Sequence, residues 1–352
     1  MTTEHSCWVE ISRDAFAKNV AQAKKDLAGS AMLMIAVKSN AYGHGGDELA
    51  PLALQSGADA LAVLDIETGV AIRQVVPEAP LLCWLLSPHS NYQAAIDARL
   101  TLGISHLWQL EAVEQCSMDT PVTVHIKIDT GLHRNGCLVE DLPALAQKAR
   151  SMEEQGFITV EGVWSHLADT SIEEDKKSLE RFHHAVAITQ DAGLTPTILH
   201  IAASAAATDL PESRLDLVRV GISVYGVSPF DDRTAQDMGF TPVMVAKARV
   251  VECTEDGTTT IGMGYADGLL AIPAGTGWLH HRGHRGTITS LDAHTMTVAW
   301  PAESAPGAGD AITLFGDPEG GSPRAEDWAT WADTIGDEVV AGMPARLHRV
   351  FA

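Results

Sequence analysis

Eight short apolar runs, at residues 32–37, 60–63, 81–85, 101–104, 122–128, 158–165, 197–201 and 217–224, alternate with amphipathic stretches over the first two thirds of this chain. Alternation of this kind is the pattern of repeated β-α units, in which strands are buried on both faces and each helix turns one apolar stripe to the sheet. Eight strands are what a parallel barrel needs, so we expect a (β/α)8 barrel of the TIM type over residues 10–232. Intervals 13–27, 142–155 and 173–192 carry apolar residues at three- and four-residue spacing with charges between, as outer barrel helices do. The charged run at 173–177 reads as a solvated helix face and not as a site.

After Pro229 the texture changes. Short β-type runs at 243–252, 258–263, 286–291, 296–300 and 311–315 are separated by turn residues, followed by one helix at 323–335 and a terminal strand. We therefore expect a mostly β C-terminal domain over 233–352, with residues 1–9 pairing into it.

The chain has 352 residues and a formal charge of −22, which repels nucleic-acid phosphates and argues against such partners. Five cysteines are scattered without metal-ligand or disulfide-framework spacing, so neither a metal site nor an oxidising compartment is expected. No basic-then-apolar leader and no apolar run long enough for a membrane span can be read, which makes a cytoplasmic protein the expectation.

The first candidate for chemistry is Lys38. The apolar run 32–37 delivers it to the end of a strand, just before a turn rich in Gly and Asn. Burial disfavours an ammonium ion, so a lysine held there can act as a neutral nucleophile and form a Schiff base with an aldehyde. Judged alone it reads more readily as a snorkelling side chain, since most lysines are solvated.

Six segments settle on one resemblance. They are Ala-Val-Lys-Ser-Asn-Ala-Tyr-Gly-His-Gly (36–45), Lys-Ile-Asp-Thr-Gly-Leu-His-Arg-Asn-Gly (127–136), Gly-Val-Trp-Ser-His-Leu-Ala (162–168), His-Ile-Ala-Ala-Ser-Ala-Ala (200–206), Leu-Val-Arg-Val-Gly-Ile-Ser-Val-Tyr-Gly (217–226) and Ile-Gly-Met-Gly-Tyr-Ala-Asp-Gly (261–268). Together they resemble the alanine racemases, fold-type III enzymes that use pyridoxal 5'-phosphate. The resemblance implies an isomerase that interconverts L- and D-alanine, supplies D-alanine for peptidoglycan, and works as a homodimer with shared active sites on a small amino-acid substrate. It makes Lys38 the cofactor anchor and one base, and Tyr265 of the partner subunit the opposed base. Two acid-base groups are what racemisation requires, because a proton leaves one face of the substrate and another returns to the opposite face.

The same resemblance implies further roles. Tyr42, Ser204, Gly221 and Ile222 match the phosphate positions, where Ser204 could instead be a helix N-cap. Arg219 faces the pyridine nitrogen; a guanidinium holds its proton, leaves the carbanion less delocalised, and so suits a racemase better than a transaminase. His166 and His200 join Arg219 in a relay leading from Tyr265. Arg134 pairs the substrate carboxylate, aided by the backbone at Leu291. Lys127 matches a lysine carbamylated in many relatives, and if unmodified it needs an anion nearby, for which Asp129 is the candidate.

Departures from the family pattern gather around the substrate pocket. Ala203 stands where Asn is common before the serine, Leu291 stands at a methionine position, Ala293 and His294 lengthen the following turn, and Ala345 replaces a tyrosine near the C-terminal Arg346–Arg349 stretch. These changes leave open a racemase of another small amino acid such as serine. A non-catalytic pyridoxal-phosphate homeostasis protein would ordinarily be a lone barrel, and the second domain and Tyr265 count against it.

Overall fold

The computed structural model describes residues 6–352, and its chain divides into two compact units. One comprises the described residues up to Asn19, Ser39–Leu49 and Ile222–Ala352; the other comprises Val20–Lys38 and Ala50–Gly221. Strand β1 (Cys7–Ile11) belongs to the former. Residues 1–5 of the stretch expected to pair with the C-terminal domain lie outside the described residues.

The unit containing residues 50–221 carries the barrel strands β2 (Met32–Ala36), β3 (Ala60–Val63), β4 (Leu81–Cys83), β5 (Thr101–Ile104), β6 (Val122–Lys127), β7 (Ile158–Trp164), β8 (Ile198–His200) and β9 (Leu217–Val220). They pair in the order β8-β7-β6-β5-β4-β3-β2-β9, every pair parallel. Between β8 and β9 the ring is completed differently. The Asp216 N–H donates to Leu199 O at 3.1 Å, the Leu199 N–H donates to the Asp216 carboxylate at 2.9 Å, and the Arg219 N–H donates to Ala202 O at 3.1 Å. The expected TIM-type barrel is therefore present and nearly closed. Its interior is filled by Met34, Ala60, Ala62, Leu82, Trp164 and Leu217, a packed core that leaves chemistry to the strand ends.

The expected strand at 217–224 stops at Val220. Residues Ile222–Tyr225 form a 3-10 turn, and Gly226 at φ +76° runs so close to Thr241 that a Cβ would lie 2.0 Å from its carbonyl oxygen. Such a backbone position is open to glycine alone.

The other unit is built on a mostly antiparallel sheet with β10 (Met244–Cys253), β11 (Thr258–Ile261), β12 (Trp278–His281), β13 (His284–Leu291), β14 (Met296–Ala299), β15 (Ala311–Phe315) and β16 (His348–Phe351). The order is β12-β13-β14-β11-β10-β1-β16, with β15 also on β10 and a single parallel pairing of β1 with β16. Strand β12 escapes the sequence reading because its Trp-Leu-His-His is too short, and too close to the Arg282-Gly283 turn, to show a period. The expected helix at 323–335 is Ala325–Ala332, ended where Asp333 turns left-handed at φ +54°, and a second helix follows at Gly336–Ala341. No helix among the described residues is long and apolar enough to cross a membrane.

Directly after Lys38 the backbone makes a left-handed turn. Ser39, Asn40 and Ala41 have φ/ψ of 52/46°, 55/49° and 53/52°, and Tyr42 follows at φ 50°. An L-residue in this region costs roughly 1–2 kcal/mol, so local bonds must hold the turn. The Gly43 N–H donates to Ser39 O at 2.9 Å, the Gly45 N–H to Asn40 O at 3.0 Å, and the Gly46 N–H to the Asn40 side-chain oxygen at 2.8 Å. The His44 ring caps the turn through Nδ1, which donates to Tyr42 O at 2.8 Å and Ala41 O at 3.0 Å. At Gly43, φ is +80° and a Cβ would lie 2.2 Å from Val340 O. Gly43→Ala is expected to lower the free energy of unfolding by at least ~1–3 kcal/mol, which denaturant titration of the two proteins checks; an unchanged midpoint would contradict the strain assigned to this turn.

Candidate active site

The sequence candidates of the barrel unit all come from the C-terminal ends of strands. Lys38 follows Val37, whose N–H extends the ladder to Ala62 O at 2.9 Å. Lys127 closes β6, Arg134 lies in the loop after it, His166 comes two residues past β7, and His200 closes β8. Arg219 lies within β9 and Gly221 just after it. Parallel strands of one barrel end on one rim, which is how residues so distant in sequence share a site.

Arg219 organises this rim. It is 7% exposed, and its guanidinium donates to Ser165 O at 2.7 Å, to Ile201 O at 3.0 Å, to His200 Nδ1 at 2.9 Å and to His166 Nδ1 at 3.2 Å. Burial pushes the guanidinium down to about 9, which still leaves it charged at neutral pH. Burial, and then the Arg219 charge, hold both His166 and His200 well below the ordinary histidine range, so both are neutral. For His166 the charges of Arg134, Lys127 and Lys38 act in the same direction.

Trp164 underlies a pair of cations. Lys127 Nζ lies 4.5 Å and Arg219 Cζ 4.8 Å from its ring, positions suited to cation–π attraction. Lys127 is 5% exposed, and burial followed by repulsion from Arg219 and Arg134 lowers its amine to about 7. Asp129 opposes that shift only weakly. Its carboxylate instead accepts from the Gly131 and His133 N–H groups at 2.9 and 3.1 Å and from His133 Nδ1 at 3.1 Å, so it is committed to its own loop and does not bridge Lys127 to Arg134. Arg134 is exposed. Ser204 is the first residue of a short helix whose N-cap position is Ala203; its hydroxyl accepts from the Gly221 N–H at 3.3 Å, so capping is not its role.

Tyr42, Ile222, Tyr265 and Leu291 belong to the other unit. Tyr42 is buried at the end of the left-handed turn with its ring 5.0 Å from that of Tyr225, and Ile222 opens the 3-10 turn after the barrel. Tyr265 sits on a one-turn 3-10 segment and is 55% exposed. The turn after β13, which begins at Leu291, holds that segment: the Tyr265 N–H donates to Asp292 O at 2.9 Å and the Ala266 N–H to Ala293 O at 2.8 Å. A Cβ at Gly264 would lie 2.1 Å from Asp292 O, which is why glycine precedes the tyrosine. The same turn brings His294 Nδ1 to within 3.1 Å of Asp267.

Residues 11–229 match the family model "Alanine racemase, N-terminal domain" and residues 247–351 match "Alanine racemase, C-terminal domain". The chain belongs to the alanine racemase family. An alanine racemase of Streptomyces coelicolor is 34% identical over 97% of this chain and 95% of its own length, and one of Thermobifida fusca is 33% identical over 97% and 96%. Among solved structures, the alanine racemase of a D-cycloserine-producing Streptomyces lavendulae superposes with a TM-score of 0.94 at 31% identity, covering 99% of this chain and 98% of that one. The S. coelicolor alanine racemase gives 0.93 at 32%, with the same coverage. The family is one of isomerases, and the fold match spans both halves of this member.

Sequence reasoning missed His125, Glu161 and Trp164, which touch the Arg219 cluster or its partners. His125 was legible in principle, because it lies two residues before Lys127 and so on the same face of β6.

The Lys127 shift has a definite sign in stability. Its folded value, about 7, lies below the ordinary 10.5, so between these the unfolded chain binds more protons and the cost of burying this side chain is relieved as pH rises. Lys127→Met is therefore expected to be more stable than the parent at or below pH 7 and to lose that advantage progressively toward pH 10.5. Denaturant titrations at a series of pH values read the difference; a gap that widens with pH would contradict a depressed amine.

Proposed function

We propose that this chain is a pyridoxal 5'-phosphate-dependent alanine racemase that works as a cytoplasmic homodimer, each active site completed by Tyr265 of the partner subunit. The observation that carries the reading is the buried Arg219 with its neutral partners at the barrel rim, in a chain matching the family over both domains. The residues present suit such a cofactor. Lys38 offers an amine, half-buried at a strand end; Ser204 and the Gly221 backbone offer small polar groups for a phosphate; Arg219 is a donor-only group among neutral acceptors.

When bound, pyridoxal phosphate supplies the electron sink that acidifies the substrate's α-hydrogen. The protein supplies the rest. Lys38 Nζ removes or returns the proton on one face and the partner's Tyr265 Oη does so on the other. Arg219 keeps its protons and orients by donating hydrogen bonds, with His166 and His200 holding its plane. Arg134 forks onto the substrate carboxylate, assisted by the backbone at Leu291, while Tyr42, Ser204, Gly221 and Ile222 hold phosphate. A Lys127 amine near 7 is partly neutral at physiological pH, which is the form that adds carbon dioxide to become the carbamate expected from the family. The product D-alanine serves peptidoglycan synthesis.

Two outcomes are expected. Borohydride treatment of the cofactor-loaded protein fixes pyridoxal phosphate to Lys38, read by peptide mass; a colourless protein with no adduct would sink the reading. Tyr265→Phe slows α-proton exchange from one alanine enantiomer by ~100-fold or more and from the other far less, as deuterium incorporation reports; mild, equal losses would refute two opposed bases. The same deuterium assay run across small amino acids tests serine as the alternative substrate raised by Ala203 and Leu291.

A further inference from the structure

We propose that Glu161 is a positioning residue for Arg219, acting through His125 and His200. The proposal rests on the racemase reading only in taking Arg219 as the group that faces the cofactor.

The argument starts from what a guanidinium cannot do. Arg219 has five donors and no acceptor, so His200 Nδ1, 2.9 Å from its Nη1, must present a bare lone pair. Neutral His200 then carries its proton on Nε2. That nitrogen lies 2.8 Å from His125 Nδ1, which must accept, and so His125 carries its own proton on Nε2. His125 Nε2 lies 3.1 Å from Glu161 Oε2. Hydrogen bonds thus run in one direction, from Arg219 to His200 to His125 to Glu161, and the series ends on an anion. The exposures fit this polarity: His200 is 0% and His125 2% exposed, while the Glu161 side chain keeps 42% of its surface in water. A carboxylate at the solvent edge costs little to desolvate, yet through two polarised imidazoles it complements a cation in the interior. His125 in turn lowers the Glu161 carboxyl below the ordinary range.

The backbone is shaped for this contact. Val124 pairs with Val160 and His125 with Gly162, so Glu161 is the extra residue of a bulge in β7, the device by which a strand re-aims a side chain. The next residue has no side chain because the His125 ring occupies its place: a Cβ on Gly162 would lie 2.7 Å from His125 Nδ1. Trp164 then fixes the plane of His200, with ring centroids 5.4 Å apart and planes 3° from parallel. Without an acceptor at this place the outer end of the series is unheld, and Arg219 alone favours this proton arrangement. With a proton on His200 Nδ1, two donors would face each other across 2.9 Å and the guanidinium would have to turn.

The test uses full-length protein labelled with 15N-histidine, without and with pyridoxal phosphate, and reads each ring's protonated nitrogen by NMR. In the parent, His125 and His200 are both expected as Nε2–H forms in either state. Glu161→Leu is expected to move protons to Nδ1, to shift the visible band of the loaded enzyme, and to lower kcat by on the order of tenfold with KM nearly unchanged. Glu161→Gln, whose side-chain oxygen still accepts, restores the tautomers and most of kcat. A parent His200 protonated on Nδ1 overturns the proposal. So does a Glu161→Leu protein with parental tautomers and kcat, or one that loses no more than Glu161→Gln. Should Glu161→Leu not fold, Glu161→Ser is read by the same criteria. If the parent itself fails to racemise alanine, the racemase reading falls, and the tautomers of the cofactor-free protein still decide the role of Glu161.

Discussion

A permanent cation is buried in the barrel, and much of the rim is arranged to make that tolerable. Removing a guanidinium from water costs several kcal/mol unless its donors are met. Arg219 meets the carbonyls of Ser165 and Ile201 and one ring nitrogen each of His166 and His200, so the ends of β7, β8 and β9 are tied together by one side chain. Regular pairing runs out between β8 and β9, whose backbones meet through Asp216, Leu199 and the Arg219 N–H. The same residue therefore completes a barrel seam and sets the electrostatics of the rim. Burial first, and then this charge, keep His166 and His200 neutral and lower the Lys127 amine toward neutrality.

Much of the fold was legible because burial leaves a strong trace. All eight barrel strands were readable as apolar runs, since a parallel strand covered on both faces needs no alternation to stand out. Their ends were less readable. The chain leaves β9 at Val220 for a 3-10 turn over Ile222–Tyr225, and the apolar run itself carries no sign of where pairing with β2 ends. Strand β12 was hidden for a related reason, its four residues gaining their identity from pairing with β13.

The site divides in the same way. Lys38 stood out by its place at a strand end, and Lys127, His166, His200 and Arg219 through the family resemblance of their segments, whereas the left-handed turn after Lys38 did not stand out, because Ser, Asn, Ala and Tyr have no shared preference for positive φ. His125 and Glu161 stayed silent because each looks ordinary by itself. A histidine inside an apolar strand and a glutamate before a glycine acquire meaning only when a bulge sets one opposite the other.

The place of β1 in its sheet bears on how the molecule is made. This strand lies between β10 and β16, so both of its neighbours are synthesised only after the whole barrel. At ribosomal speeds of about 5–20 residues per second, the strand waits on the order of tens of seconds while the whole barrel is produced. During that interval it is a bare edge, the kind of surface that recruits stray strands. Its brevity limits the hazard, and so does Glu10, a charge in mid-strand that finds Lys247 only once β10 arrives.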